Sequence, residues 1–293
     1  MRLLLTLAGL VITSMLPRVL VFALLTSISN AITLQPSVTR QDWQDLEVIT
    51  LDSQGNRAKT VYYSYDQLLT LPTITVKTER DPNTNTPATY TGIYLRNLFE
   101  AFGADASFDV IAANRLDKYK QYYDHDYVAK HRPILLLKFD DKAPDDWPQT
   151  EDRNMLGPYC VVHESFSPAE AIYGYVEQPR GTYGIISLEL TNFGQSLGRF
   201  TPKVSGNDPE VVKGQKIAVG SCSTCHNLGT AGGQMAGTPW SVLAATAVST
   251  KDKFRSKVID PHSMIQRRRR PTCRLTPHST TRPSTLSKLT SKR

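Results

Sequence analysis

Short apolar runs separated by polar turns dominate the first two-thirds of the chain. Val48-Ile49-Thr50-Leu51 and Val61-Tyr62-Tyr63 flank Asp52-Ser53-Gln54-Gly55-Asn56, a pattern that predicts strand, turn, strand. Ser64 followed by Tyr65-Asp66-Gln67-Leu68-Leu69 predicts a short capped helix. Thr73-Ile74-Thr75-Val76-Lys77-Thr78 alternates with the period of a half-buried strand. Leu95–Phe102 has helical apolar spacing and stops at Gly103. Phe108–Ala112, Ile134–Phe139, Cys160-Val161-Val162 and Ile185–Leu190 read as buried strands. Strands outnumber helices, so residues 32–190 are expected to form an α+β unit with a β-rich core.

The pattern changes after residue 190. Residues 191–207 are rich in Gly, Ser and polar side chains and are expected to be a linker. Asp208-Pro209-Glu210 then predicts a helix start: a carboxylate cap, proline in the first turn and an acid beside it. Val211, Val212, Ile217 and Val219 give that helix an apolar side, and Gly220 is expected to end it. Thr238-Pro239-Trp240 opens a second helix through Leu243-Ala244-Ala245, and Phe254 and Val258 mark a third. Residues 208–263 are therefore expected to be a small all-α domain, with 264–293 a basic, low-complexity tail.

Charge changes this picture only at the ends. The formal net charge is +7, from 34 Lys and Arg against 27 Asp and Glu. Residues 267–293 hold nine basic side chains and no acid, and residues 1–31 hold Arg2 and Arg18 with no acid. With those eleven charges removed from +7, residues 32–266 carry −4. A mildly acidic body excludes a nucleic-acid-binding surface as the explanation of the basic balance. The first 31 residues read as an export signal. Apolar runs Leu3–Leu16 and Val19–Leu25 are broken by Pro17-Arg18, and small residues stand at Ser29-Asn30-Ala31. Met15 would serve as an alternative start, with Arg18 as the charged region. A periplasmic location follows, and an uncleaved segment would instead keep the protein at the membrane.

The candidate chemistry lies in Cys222-Ser223-Thr224-Cys225-His226. Two cysteines three positions apart, with histidine immediately after, is the spacing at which two thiols add to the vinyl groups on one porphyrin edge. The adjacent imidazole then binds the iron from below. Cys222 and Cys225 are thus expected to carry covalent haem c, with His226 as proximal ligand. Half a zinc site or a redox dithiol are the alternatives. Only Cys273, His262 and His278 stand downstream to complete a zinc site, with no second paired motif. A redox dithiol normally opens a helix, whereas this one follows a helical segment. No Ser/His/Asp arrangement and no phosphate-binding loop can be read elsewhere. Cys160 reads as a buried small hydrophobe, with a Cys160–Cys273 disulfide as the alternative, and His163 as a hydrogen-bonded core histidine. Tyr122-Tyr123-Asp124-His125-Asp126-Tyr127 is expected to be a solvated loop rather than a pocket wall.

Residues 214–262 resemble a monohaem c-type cytochrome domain. The resemblance rests on Gly214, Cys222, Cys225, His226, Gly232-Gly233, Gly237-Thr238-Pro239-Trp240, Phe254 and Ile259-Asp260-Pro261. It implies thioethers at Cys222 and Cys225, proximal ligation by His226, and packing roles for Pro239 and Trp240. Residues 32–190 resemble the molybdopterin-binding domain of the sulfite oxidase family. Here the carriers are Leu71-Pro72, Tyr90-Thr91-Gly92 leading into Leu95-Arg96-Asn97-Leu98, and Gly157-Pro158-Tyr159-Cys160-Val161-Val162. Where that family places its molybdenum cysteine, this chain has Lys77-Thr78-Glu79-Arg80-Asp81-Pro82. The resemblance therefore implies the fold without the metal centre, and molybdopterin is not an expected cofactor.

The distal side of the haem is less well supplied. The cytochrome family closes it with a Met-Pro pair, which this chain lacks after Pro261. Met264 is the distal candidate, His262 and an open iron are alternatives, and Met235 lies only nine residues past His226. Reading each codon from position 267 onward one base early permits small residues for the four arginines and Met-Pro at 273–274. The same shift permits Tyr-Phe near the end of the chain, so a lost reading frame between Asp260 and Arg267 is a hypothesis that resequencing decides. The expected function is one-electron transfer to a periplasmic redox protein, with residues 32–190 as a docking module. The alternatives are a sulfite-dehydrogenase-like oxidoreductase and a gas-binding haem sensor.

Overall fold

The computed structural model describes residues 34–104, 107–150, 153–166, 178–201 and 208–259. A nine-stranded mixed sheet dominates it. In chain order the strands are β1 (Leu46–Leu51), β2 (Arg57–Tyr63), β3 (Ile74–Thr78), β4 (Ala88–Tyr94), β5 (Val110–Arg115), β6 (Lys120–Asp124), β7 (Pro133–Phe139), β8 (Tyr159–His163) and β9 (Thr182–Thr191). Three short helices are interleaved: α1 (Tyr65–Leu69), α2 (Leu95–Ala101) and α3 (His125–His131). Three more follow: α4 (Pro209–Ser221), α5 (Trp240–Ser249) and α6 (Lys251–Ile259). The α+β class with a β-rich core is what the sequence predicts.

The main path of the sheet runs β2-β1-β9-β8-β7-β4-β3, and β5 joins β9 and carries β6. The second half of β9 lies between β1, parallel, and β5, antiparallel. Both faces of the central strands are covered, so their apolar runs are continuous rather than alternating. On β7, Leu135 and Leu137 enter one core with Leu46, Ile93, Tyr123 and Tyr159. Their neighbours Ile134 and Leu136 enter a second core with Tyr90, Phe139 and Trp147. Cys160 lies in this second core, 1% exposed, and burial pushes its thiol pKa up. Gly92 on β4 is required by this packing, because a Cβ there would stand 2.2 Å from the Leu135 carbonyl oxygen.

Local chemistry sets the helices between the strands. The Ser64 side chain accepts from Gln67 N–H while the Gln67 side chain accepts from Ser64 N–H, a complete capping box for α1. Asp124 caps α3 by accepting from Tyr127 N–H at 3.0 Å.

Two expectations are corrected here. Tyr122–Tyr127 is not a solvated loop: it forms the end of β6 and the start of α3, with Tyr122, Tyr123 and Tyr127 buried. Tyr123 faces the first core, and Tyr122 faces a third cluster with Val110, Ala112 and Leu197. With apolar material on both sides of β6, no polar alternation marks the strand. Residues 191–201, the described part of the expected linker, are likewise built into the molecule. Thr191 ends β9, and Ser196, Leu197 and Phe200 are buried. Two apolar side chains three positions apart, on a turn of 3-10 helix at Leu197–Phe200, outweigh the Gly/Ser composition.

Val219 of α4 packs against the third cluster, so the described residues of the two expected domains form one compact unit. The expected export segment and the expected tail from residue 264 lie outside the described residues, as do His262, Met264 and Cys273. Among the described residues no helix is long and apolar enough to cross a membrane.

Candidate functional site

Helix α4 delivers the cysteine motif. Asp208 caps its start by accepting from Glu210 N–H at 2.9 Å, with Pro209 in the first turn, as expected. Its last turn ends at Ser221, with Cys222 as the C-terminal cap. The chain then closes tightly: the Cys222 carbonyl accepts from Cys225 N–H at 3.2 Å and from His226 N–H at 2.9 Å. One short turn therefore holds both cysteines and the histidine. Cys222, Cys225 and His226 are half-buried, while the spacers Ser223 and Thr224 are 1% and 4% exposed. Thr224 Oγ1 donates to Cys225 Sγ at 3.7 Å. Burial, and secondarily the neighbouring Cys225, pushes the Cys222 thiol pKa up.

The geometry of His226 is the most specific feature of the site. Its Nδ1 lies 2.6 Å from the Thr238 carbonyl oxygen. A carbonyl oxygen only accepts, so Nδ1 carries the proton and donates it. In the neutral ring the lone pair is then on Nε2, the atom left to bind a metal. Thr238 is held in turn, because Trp240 N–H donates to the Asn227 carbonyl at 2.8 Å and closes the loop from 227 to 240. Trp240 meets Phe200 edge-on at 4.6 Å between ring centroids, a packing role, whereas Pro239 is exposed at the cap of α5.

The glycine pair expected from the sequence brings the loop against the motif. At Gly232, with φ of 86°, a Cβ would stand 2.5 Å from the His226 carbonyl oxygen. At Gly233 it would stand 1.8 Å from the Thr224 carbonyl oxygen. No other residue fits either position without opening the loop. Met235 follows in this loop, half-buried.

These residues fit a covalently held haem. Two thiols and an oriented imidazole form the required donor set on one turn. Helices α4, α5 and α6 surround the motif in sequence and bury none of their own residues. A porphyrin seated at Cys222 and Cys225 would supply apolar surface to such helices. Among the described residues no group of three or more His, Cys, Asp or Glu is placed to hold a metal ion, and Cys273, His262 and His278, which would complete a zinc site, lie outside them.

The sheet offers no thiolate for molybdenum at the position the resemblance indicates. Asp81, 1% exposed, has both carboxylate oxygens occupied. It accepts from Tyr90 O–H, from Asn83 N–H at 2.9 Å and from Thr84 N–H at 2.7 Å, the bonds of a structural turn. The residues do not fit a thiolate-held metal there.

A second polar cluster occurs at the far end of β8. Tyr127 O–H accepts from Arg180 N–H at 2.8 Å and lies 2.9 Å from His163 Nε2, to which it can donate. Burial, then the charges of His131 and Arg180, pull the His163 pKa down to about 4. His163 is hydrogen-bonded, as the sequence predicts, and half-buried at the end of β8 rather than within a core cluster.

Sequence reasoning missed the partners of the motif in the sheet. Lys120 N–H donates to the Thr224 carbonyl at 3.0 Å, and Gln234 N–H donates to the Lys118 carbonyl at 2.9 Å. Gly232 N–H donates to Tyr122 O–H at 2.7 Å. These groups lie about a hundred residues upstream, and two of them, the Lys120 N–H and the Lys118 carbonyl, are backbone groups that no residue type could have announced.

No family model matches the chain, and no curated protein matches it. A solved structure, the sulfane dehydrogenase SoxCD from Paracoccus pantotrophus, is similar at 14% identity with a TM-score of 0.32. The match covers 53% of this chain and 40% of that one, so this chain spans well under half the length of that neighbour. A likeness of this size leaves the function to be argued from the residues.

Proposed function

We propose that the protein is an exported c-type cytochrome that transfers single electrons through haem attached to Cys222 and Cys225, with His226 as proximal iron ligand. The observation that carries this reading is the 2.6 Å bond from His226 Nδ1–H to the Thr238 carbonyl. It orients the ring and leaves Nε2 for iron, on the same turn as the two thiols. The haem supplies the one-electron chemistry. The chain's own residues hold the imidazole, present the thiols and exclude water from Ser223 and Thr224. No acid, base or nucleophile is needed. The partner is a periplasmic redox protein, and the sheet is its docking module. Met264 is the proposed distal ligand.

Expression with a haem-attachment system, followed by a haem stain under denaturing conditions and metal analysis, tests the proposal. One iron and one covalent haem per chain are expected, with Cys222→Ala plus Cys225→Ala abolishing the stain and His226→Ala disrupting iron ligation. Absence of covalent haem from the native chain overturns the reading. Stoichiometric molybdenum would favour a sulfite-dehydrogenase-like oxidoreductase. Carbon monoxide binding to the reduced protein would mark an open iron and favour a gas sensor.

A further inference from the structure

We infer that the turn between β5 and β6 is a clamp that orders the Cys222–His226 loop before haem arrives, and that Tyr122 is a positioning residue for haem attachment. This rests on the proposed haem site. It differs from a docking role, because it makes the sheet part of the site's own architecture.

The argument begins with burial within the motif. Ser223 and Thr224 are buried, while the three residues that would meet haem stay half-open. The motif is thus gripped by its spacers and presented by its ligands. The grip comes from one hairpin. Lys120 N–H bonds the Thr224 carbonyl from one side, and the Lys118 carbonyl takes Gln234 N–H from the glycine loop. Gly233 is wedged between them: a Cβ there would meet both the Thr224 carbonyl oxygen at 1.8 Å and the Lys118 carbonyl oxygen at 3.0 Å. Tyr119 completes the contact beside Thr224 and Cys225, its phenol pKa raised first by burial. Arg115 braces the turn by ion-pairing with Asp117 at 3.0 Å and lying 4.1 Å over the Tyr183 ring.

Tyr122 links this clamp to the core. Its ring fills the third cluster, and its hydroxyl takes the buried Gly232 N–H. Covalent attachment needs both thiols on the same side of one turn at the same time. A turn ordered in advance removes the conformational search from that step.

Alkylation of the haem-free full-length chain by iodoacetamide, read at each cysteine by mass spectrometry, tests the clamp. Tyr122→Phe keeps the ring in the core but strands the Gly232 N–H, so local opening should rise. Cys222 and Cys225 should react about tenfold faster than in the native chain. Gly233→Ala, which pries the loop from the other side, should do the same even if the first variant folds poorly. In haem-loaded chains both variants should raise the share of haem held by one thioether, visible as a shift of the pyridine haemochrome band. A purely packing role for Tyr122 predicts no change on removing the hydroxyl. Unchanged alkylation rates in both variants overturn the clamp. A native chain without covalent haem fails the proposed function alone, because the alkylation rates are read without haem.

Discussion

The sheet and the three helices that follow it dispose of apolar side chains in opposite ways. Leu46, Ile49, Ile93 and Leu135 are fully buried in the sheet. Helices α4, α5 and α6 contain no fully buried residue, only half-buried ones such as Val219, and Val248 is 86% exposed. The sheet therefore holds itself together through side-chain packing. The helical part takes its order from caps, glycine turns, the bonds to the β5–β6 turn and a few partly buried contacts, Val219 on the third cluster and Trp240 on Phe200. A region built in this second way depends on what it is attached to: the hairpin on one side and, on the proposed function, haem on the other.

The sharpest way to break the comparison is a matched pair of truncations, one at the centre of the sheet and one on a helix that follows it. Leu135→Ala leaves a cavity at the centre of the sheet and should cost about 2–5 kcal/mol in urea unfolding. A small effect would mean that the sheet is not packed as described.

The next effect belongs to His163. Its pKa in the folded chain, about 4, lies below the ordinary 6.5, so between those values the unfolded chain binds a proton that the folded chain refuses. Stability from this group is fully present above about pH 6.5, falls as the pH drops towards 4, and levels off below. The total loss should be about 3 kcal/mol. His163→Gln removes this group's titration, so the difference between native and variant urea midpoints from pH 7 to 4 isolates it. A difference independent of pH would contradict the burial of the neutral ring.

Smallest of all should be Val248→Ala on α5. A side chain left in solvent contributes within about 0.5 kcal/mol in the haem-free chain. A cost approaching that of Leu135→Ala would show that α5 has a core of its own.

Legibility in the sequence follows the same division. β1, β2 and β7 are readable because their runs are bounded by strong turn residues, and α1 because Ser64 and Gln67 form a complete capping box. β6 and α3 are not readable, since Tyr122 and Tyr123 face two different apolar clusters while the acids between them and Tyr127 look like solvent-facing positions. The segment 191–201 is misread for the converse reason. Its composition is that of a connector, and only contact reveals that Leu197 and Phe200 are anchors.

The candidate site divides likewise. Cys222, Cys225 and His226 stand out because, on the proposed function, their spacing matches the edge of a small rigid molecule, a constraint satisfied within five residues. The Thr238 carbonyl and the hairpin groups do not stand out, because hydrogen-bonding backbone is common to every residue type.

By itself, then, the sequence determined the α+β class, the helix start at Asp208 and the Cys222, Cys225 and His226 spacing on which the proposed haem site rests, all of which depend on neighbours close along the chain. Tertiary structure alone decided that the motif is gripped by Ser223 and Thr224, that Tyr122 reaches Gly232, and that His226 donates from Nδ1. Such contacts join residues through space, where local spacing carries no information about which backbone groups will meet.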